Sequence, residues 1–178
     1  DAFVVARYLK QWFFAVTVVF AGDANTLPAD AVAALQKWQA AGGTTRDTPP
    51  TGDWGLVIDG LFGIGLSRPV SGLAAELIRA VNRASALQKV PVIALDVPSG
   101  LNADTGAVIG GEQGIAIRSS HTLSFLGNKP GLHTADAKDY AGHVIIDFLE
   151  ASVSADVRET GVLNCANTLP AMPVRANN

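Results

Sequence analysis

Apolar residues recur at the three-to-four-residue spacing of an amphipathic helix in three stretches of the chain. The first follows Asp1, a good N-cap residue, and the second follows Pro28 and stops at Gly42-Gly43. The third is centred on residues 74–81. We expect each helix to cover core with one face, formed by Ala2, Val5, Ala6 and Leu9, by Ala31, Ala34, Leu35 and Trp38, and by Ala74, Leu77, Ile78 and Val81.

Shorter and almost continuously apolar runs lie between and after these helices and predict buried strands. Uninterrupted apolar strands that alternate with helices indicate a mostly parallel sheet that is covered on both faces. The predicted fold class is therefore α/β, a Rossmann-like three-layer αβα sandwich. The strands are expected at residues 15–21, 56–58, 90–95, 121–125 and 143–148, with a surface loop at 44–53 and a turn at 127–131.

The ends of the chain carry weaker signals. The sequence enters the first helix directly at Asp1, without a Met, so we expect a first strand and its loop to be missing. After residue 150 the periodicity fades into a segment with the composition of a linker. We therefore predict one domain at residues 1–150 and a C-terminal linker at residues 151–178.

Composition narrows the class of protein and of ligand. With 48% hydrophobic and 16% charged residues the chain is globular, and a net charge of −3 gives no general attraction for nucleic acid or anionic membrane. The apolar run 12–21 is about half as long as a membrane-spanning helix requires. Cys165 is the only cysteine, so a reducing, cytoplasmic location is expected. An anionic ligand would need a local site of backbone amides and a few basic side chains.

The loop after the strand at 56–58 is the first candidate site. Gly63 and Gly65 would let backbone N–H groups approach a phosphate, and Arg68 would hold it with two hydrogen bonds. The loop lacks the third glycine of the dinucleotide fingerprint and the Gly-Lys-Ser/Thr ending of a P-loop. A tight strand-to-helix turn with a solvated arginine explains the local pattern equally well.

A second candidate site follows the strand at 90–95. Asp96 comes directly after the strand, where a raised pKa would suit it to general acid–base catalysis. Asp59, Ser99 and nearby carbonyls are hard oxygen donors that could together hold a cation. Capping of a turn is the alternative for Asp96, and the better account of Asp104. A serine hydrolase is disfavoured, because Ser99 is not in a G-x-S-x-G elbow.

A third segment, 125–132, contains Lys129, which would reach a phosphate or a ring of the ligand, or else is an exposed turn lysine. The histidines at 121, 133 and 143 are dispersed, and we interpret them as structural or surface residues.

Taken together, the stretches 57–69, 94–106 and 122–132 resemble the N-terminal domain of the NAD(P)H-hydrate epimerases. The opening 1–7 is similar to the end of that family's Asn-Asn-Gly-Gly-Asp loop and its following helix. The similarity runs in collinear order over residues 1–150. It implies a Rossmann-like fold and interconversion of the R and S forms of hydrated NADH and NADPH, abbreviated NAD(P)HX, at C6 of the nicotinamide ring.

The resemblance also implies roles for individual residues. Asp96 would contact the hydrated ring and act as the general acid–base, while Asp59 and Ser99 would ligate a potassium ion. Asp1 would close the N-terminal substrate loop. The remaining substrate contacts would be Gly63, Ile64, Gly65, Leu66, Ser67, Arg68 and Pro69.

The partners that the resemblance implies are the small-molecule substrate, a second copy in a homodimer, and a covalently fused ADP-dependent dehydratase domain. Two other functions remain open on the sequence. A nicotinamide-dependent dehydrogenase would need a G-x-G-x-x-G turn after the first strand. A binding module without activity is the second, because a fold alone does not give a function.

Overall fold

The computed structural model contains three long helices and six short strands among the residues it describes. The structure describes residues 1–152 and, beyond them, only residues 157, 161 and 163. The helices are α1 (Ala2–Gln11), α2 (Ala29–Ala40) and α3 (Gly72–Gln88). The strands are β1 (Val18–Val19), β2 (Thr45–Arg46), β3 (Val57–Asp59), β4 (Val92–Leu95), β5 (His121–Phe125) and β6 (His143–Asp147). Four 3₁₀ segments complete the described elements: Ala24–Thr26, Gly111–Gln113, Pro130–Leu132 and Ala135–Asp139.

The strands form two parallel sheets. β1 pairs with β2, and a four-stranded sheet has the order β3-β4-β5-β6 with every pair parallel. Parallel strands and helical connections confirm the predicted Rossmann-like α/β class. The surface loop predicted at 44–53 is wrong at Thr45 and Arg46, which form β2. Both of these side chains are exposed, so a two-residue strand carries no apolar pattern that a sequence reading would detect.

The smaller sheet has a core of its own. Phe3 and Ala6 of α1 are buried against Leu35 and Trp38 of α2, with β1 packed on the same cluster. The helix end predicted at Gly42-Gly43 is confirmed, and the structure gives it a packing reason. A Cβ at Gly43 would lie 2.1 Å from the Trp38 ring, so only glycine lets the chain turn across this side chain.

The larger sheet is covered by α3, whose Ile78 packs with Val92 of β4 and with Ile117. The turn predicted at 127–131 is only part of the connection between β5 and β6, since two 3₁₀ segments follow one another there. This connection is fixed to the loop after β4. The N–H of Gly131 donates to the carbonyl of Ala103 at 2.7 Å, and a Cβ at Gly131 would lie 2.3 Å from the carbonyl oxygen of Asn102.

Among the described residues, no helix combines the length and the apolar character that crossing a bilayer requires. The predicted linker at 151–178 lies outside the described residues, apart from the few positions named above, and so does Cys165.

Candidate active site

The carboxyl ends of β3 and β4 bring the predicted acidic residues to one edge of the sheet. Asp59 is the last residue of β3 and pairs in register with Ala94 of β4. Asp96 follows the end of β4, and Ser99 lies three residues further along. Because ligands of parallel α/β sheets bind at this edge, the predicted residues lie where a ligand site is expected.

Asp59 and Ser99 are joined by direct hydrogen bonds. The Ser99 hydroxyl donates to Asp59 Oδ1 at 2.7 Å, and the Ser99 N–H donates to Asp59 Oδ2 at 2.8 Å. Both side chains are buried. Burial raises the pKa of the Asp59 carboxyl above 3.8, and the hydrogen bonds from Ser99 and Leu61 oppose part of that shift. No lysine, arginine or histidine within the described ranges forms an ion pair with Asp59.

Asp96 is held in a strained backbone conformation. Its φ of +69° lies in the left-handed region, which a non-glycine residue adopts only at a cost of about 1–2 kcal/mol. Its N–H donates to the carbonyl of Leu123 on the neighbouring strand at 2.7 Å, which fixes this conformation. Other residues of the structure, among them Leu126 and Ala135, also have a positive φ, so the ion pair of Asp96 supports a functional role more than its backbone conformation does.

The Asp96 carboxylate forms an ion pair with Lys129. Lys129 Nζ lies 2.5 Å from Asp96 Oδ1, and the N–H of Phe125 donates to the same oxygen at 3.1 Å. Asp96 Oδ2 has no hydrogen bond within the described part of the chain. Every buried side-chain oxygen described has a partner, so Oδ2 must be open to solvent. The site therefore presents one free carboxylate oxygen to a ligand.

Lys129 is the functional candidate that sequence reasoning underrated. The alternative of an exposed turn lysine is wrong, since the side chain is 17% exposed and bonds both Asp96 and the carbonyl of Phe125. Its place four residues beyond the end of β5, a strand next to β4, was the available signal. That signal is useful only when the strand order is known, and the hydrophobic periodicity of a sequence does not show which strands are neighbours.

The loop Gly63–Pro69 is exposed and leaves its backbone donors free. Within the described residues only the N–H of Leu66 is bonded, to the carbonyl of Gly63, so the amides from Gly63 to Arg68 are otherwise available. A Cβ at Gly63 or Gly65 would meet no atom within 4 Å, so the space above the loop is open. The start of the loop is tied to Ser99, whose hydroxyl accepts the N–H of Phe62 at 2.9 Å.

The amino end of α1 lies beside the same edge. A Cβ on Gly60, the residue after Asp59, would be 2.7 Å from the Cβ of Ala2. Asp1 occupies the N-cap position as predicted, but its carboxylate makes no capping hydrogen bond, which leaves it exposed and unused within the described structure.

A cavity of about 390 Å³ lies between β1 and β3. Thr17 and Val19 line one side, and Val57 and Asp59 the other. The cavity reaches Asp59 but is not lined by Asp96, Lys129 or Arg68. This cavity therefore does not bring the remaining candidate residues together.

Comparison with known proteins identifies the family of this chain. The sequence model of the family described as YjeF-related protein N-terminus matches residues 1–131. The chain belongs to this family. An NAD(P)H-hydrate epimerase of Achromobacter xylosoxidans is 43% identical over 151 residues, which is 84% of this chain and 69% of that protein. The one of Bordetella pertussis is 42% identical over 149 residues, so the chain spans 64% of that relative, less than two thirds.

A bifunctional NAD(P)H-hydrate repair enzyme of Leishmania infantum is 37% identical over 150 residues, covering 81% of this chain and 25% of the relative. The resemblance derived from the sequence is thereby confirmed at the level of the family. For this member of the YjeF-related family, the structure brings Asp59 to Ser99 and Lys129 to Asp96. It also places α1 against Gly60 and ties the start of the glycine-rich loop to Ser99.

Proposed function

We propose that the full-length protein is an NAD(P)H-hydrate epimerase, which interconverts the R and S forms of NAD(P)HX. One observation carries the proposal most directly: Asp96 is strained, charge-paired, and has one carboxylate oxygen open to solvent at the carboxyl edge of the sheet. The names of the relatives support the substrate, and the family model covers the segments that contain these residues.

The Gly63–Pro69 loop would hold the dinucleotide. Its free amides can donate to phosphate oxygens, and Arg68, which is exposed on the same loop, supplies a positive charge. Ile64, Leu66, Ser67 and Pro69 complete the proposed substrate contacts, with Asp1 closing the site from the end of α1. Since the chain carries a net negative charge, this local concentration of donors is what would bind an anion.

Asp96 would act as the general acid–base at C6 of the hydrated ring. Inversion requires the C6–O or the C6–N1 bond to break and then form again on the other face. If C6–O breaks, the leaving oxygen takes a proton from the carboxyl group and departs as water, and the water that adds to the opposite face returns a proton. If C6–N1 breaks, the carboxylate first takes the proton of the C6 hydroxyl, and N1 gains one. Lys129 would hold one oxygen of this carboxyl group, and the other oxygen would face the ring.

A potassium ion would be held by Asp59 and Ser99. The donor set would suit a hard cation, because it combines a carboxylate, a hydroxyl and the carbonyl of Phe62, whose oxygen is 3.3 Å from that hydroxyl. Asp59 is a buried acid whose pKa is raised by desolvation, and a bound cation would offset that unfavourable burial. The ion would supply positive charge that stabilises the loop ends, and Asp96 would perform the proton transfers.

The test is the R/S interconversion of NADHX. The full-length protein is incubated with one purified epimer, and the two epimers are separated by chromatography over time. Appearance of the other epimer well above the buffer rate supports the proposal. Absence of any conversion, with binding of NADHX detected by calorimetry, would indicate a binding module. Oxidation of NADH with a carbonyl substrate would indicate a dehydrogenase instead.

A further inference from the structure

We propose that Lys129 is a positioning residue for Asp96: it clamps Oδ1 of the carboxylate and so presents Oδ2 alone to the ligand. This inference rests on the proposed function, because it concerns the group that would act on C6. Lys129 is not assigned a contact with the substrate. Its effect on the reaction passes through Asp96.

The clamp consists of donors from one side of the carboxylate. Oδ1 accepts from Lys129 Nζ at 2.5 Å, from the Phe125 N–H at 3.1 Å and from the Ser124 hydroxyl at 3.4 Å. All of these donors belong to the end of β5 and the turn that follows it. A carboxylate with donors on one oxygen only cannot rotate without losing them, so the direction of Oδ2 is set by the clamp.

Lys129 is able to fix Asp96 because it is itself fixed. Nζ also donates to the carbonyl of Phe125 at 2.6 Å, and the side chain is 17% exposed. Two residues further on, the N–H of Gly131 bonds Ala103 at 2.7 Å, and no side chain fits at Gly131. A lysine anchored at both its backbone and its ammonium loses little additional freedom when it pairs, which makes this pair stronger than a surface ion pair.

The phosphate-binding and proton-transfer parts of the proposed site are separate segments. Gly63–Pro69 follows β3, whereas Lys129 follows β5, and the structure contains no hydrogen bond between Lys129 and that loop within its described residues. Loss of the clamp should therefore leave ground-state binding largely intact and impair the step at C6. Misplacement of a catalytic group by about 1 Å lowers rates by about 10²-fold, so we expect a loss of about 10- to 100-fold in kcat.

The experiment is a double-mutant cycle in the full-length protein with NADHX as substrate. The variants are Lys129→Met, Asp96→Asn and the pair together, with Lys129→Arg as the conservative variant. Lys138→Met, an exposed lysine of the same connection without an ion pair among the described residues, is the matched control. Chromatographic rates over a range of NADHX concentrations give kcat and KM separately, and circular dichroism checks that each variant folds. Should Lys129→Met not fold, Lys129→Gln takes its place.

We expect Lys129→Met to lower kcat about 10- to 100-fold with KM changed by less than about threefold. In the Asp96→Asn background, Lys129→Met should lower kcat almost no further. In the wild-type background, Lys129→Arg should keep part of the kcat that Lys129→Met loses. An unchanged kcat in Lys129→Met, or an equal loss in both backgrounds, would overturn the positioning role. If the proposed function itself is wrong, the wild-type protein does not interconvert the epimers. That result is distinguishable from every outcome for the Lys129 variants.

Discussion

Replacing Asp96 by Asn is the sharpest test of the proposed site, because the change is almost isosteric. Asparagine tolerates the left-handed φ of +69°, and its side-chain carbonyl can still accept from Lys129 and Phe125. What changes is the charge and the exposed atom, where an amide donor replaces the free oxygen Oδ2. General acid–base groups contribute about 10²- to 10⁴-fold, so we expect epimerisation of NADHX to fall at least about 10²-fold.

The stability of the Asp96→Asn variant should change little. The ion pair is lost, but both side chains are partly exposed and the neutral hydrogen bonds remain, so we expect a cost of about 1 kcal/mol, or about 2–4 °C in Tm. Epimer chromatography and thermal denaturation of the full-length protein measure the two effects. Asp104→Asn, an exposed acid on the same loop, is the control and should keep its activity. Near-normal turnover in Asp96→Asn would refute acid–base catalysis by this residue.

Three further predictions concern the proposed ion and phosphate sites. Potassium chloride should raise the Tm of the wild-type protein more than choline chloride at equal ionic strength does, and Asp59→Asn should abolish the difference. Without potassium, the raised pKa of Asp59 means that its protonated form is the one the fold favours, so wild-type stability should fall relative to Asp59→Asn as the pH rises above 3.8, measured by urea denaturation. Arg68→Ala should raise KM for NADHX about tenfold with a smaller effect on kcat, and an unchanged KM would exclude Arg68 from substrate binding.

The sequence predicted elements well wherever one side chain dictated the local structure. The helix stop at Gly42-Gly43 is such a case, because the bulk of Trp38 leaves no room for a Cβ beside it. The strand β2 could not be predicted, since Thr45 and Arg46 form it through backbone bonds to β1 and bury nothing. Strand pairing depends on a partner that is distant in sequence, and an exposed strand has no hydrophobic periodicity from which its pairing could be predicted.

The residues of the candidate site could likewise be predicted only in part. Asp59, Asp96 and Ser99 could be proposed because each follows or ends an apolar strand run, a position that is visible along the chain. The partner of Asp96 could not, because Lys129 reaches it only through the adjacency of β4 and β5. The cytoplasmic location, the homodimer and the bound potassium ion stay predictions.

The division of the strands into two sheets determines how ligand binding would change the local stability of the fold. No hydrogen bond within the described residues joins the α1, β1, α2 and β2 unit to the larger sheet, and Ala2 beside Gly60 is a point of close approach between them. Such units can open separately, each with its own free energy of local unfolding. A ligand held by Asp1 and the Gly63–Pro69 loop would bind only when both are closed, and at a hundred times its Kd it would add about 2.7 kcal/mol to that closed form. Occupancy of the site would then slow amide exchange in α1 and β1, although most of their residues would never touch the substrate.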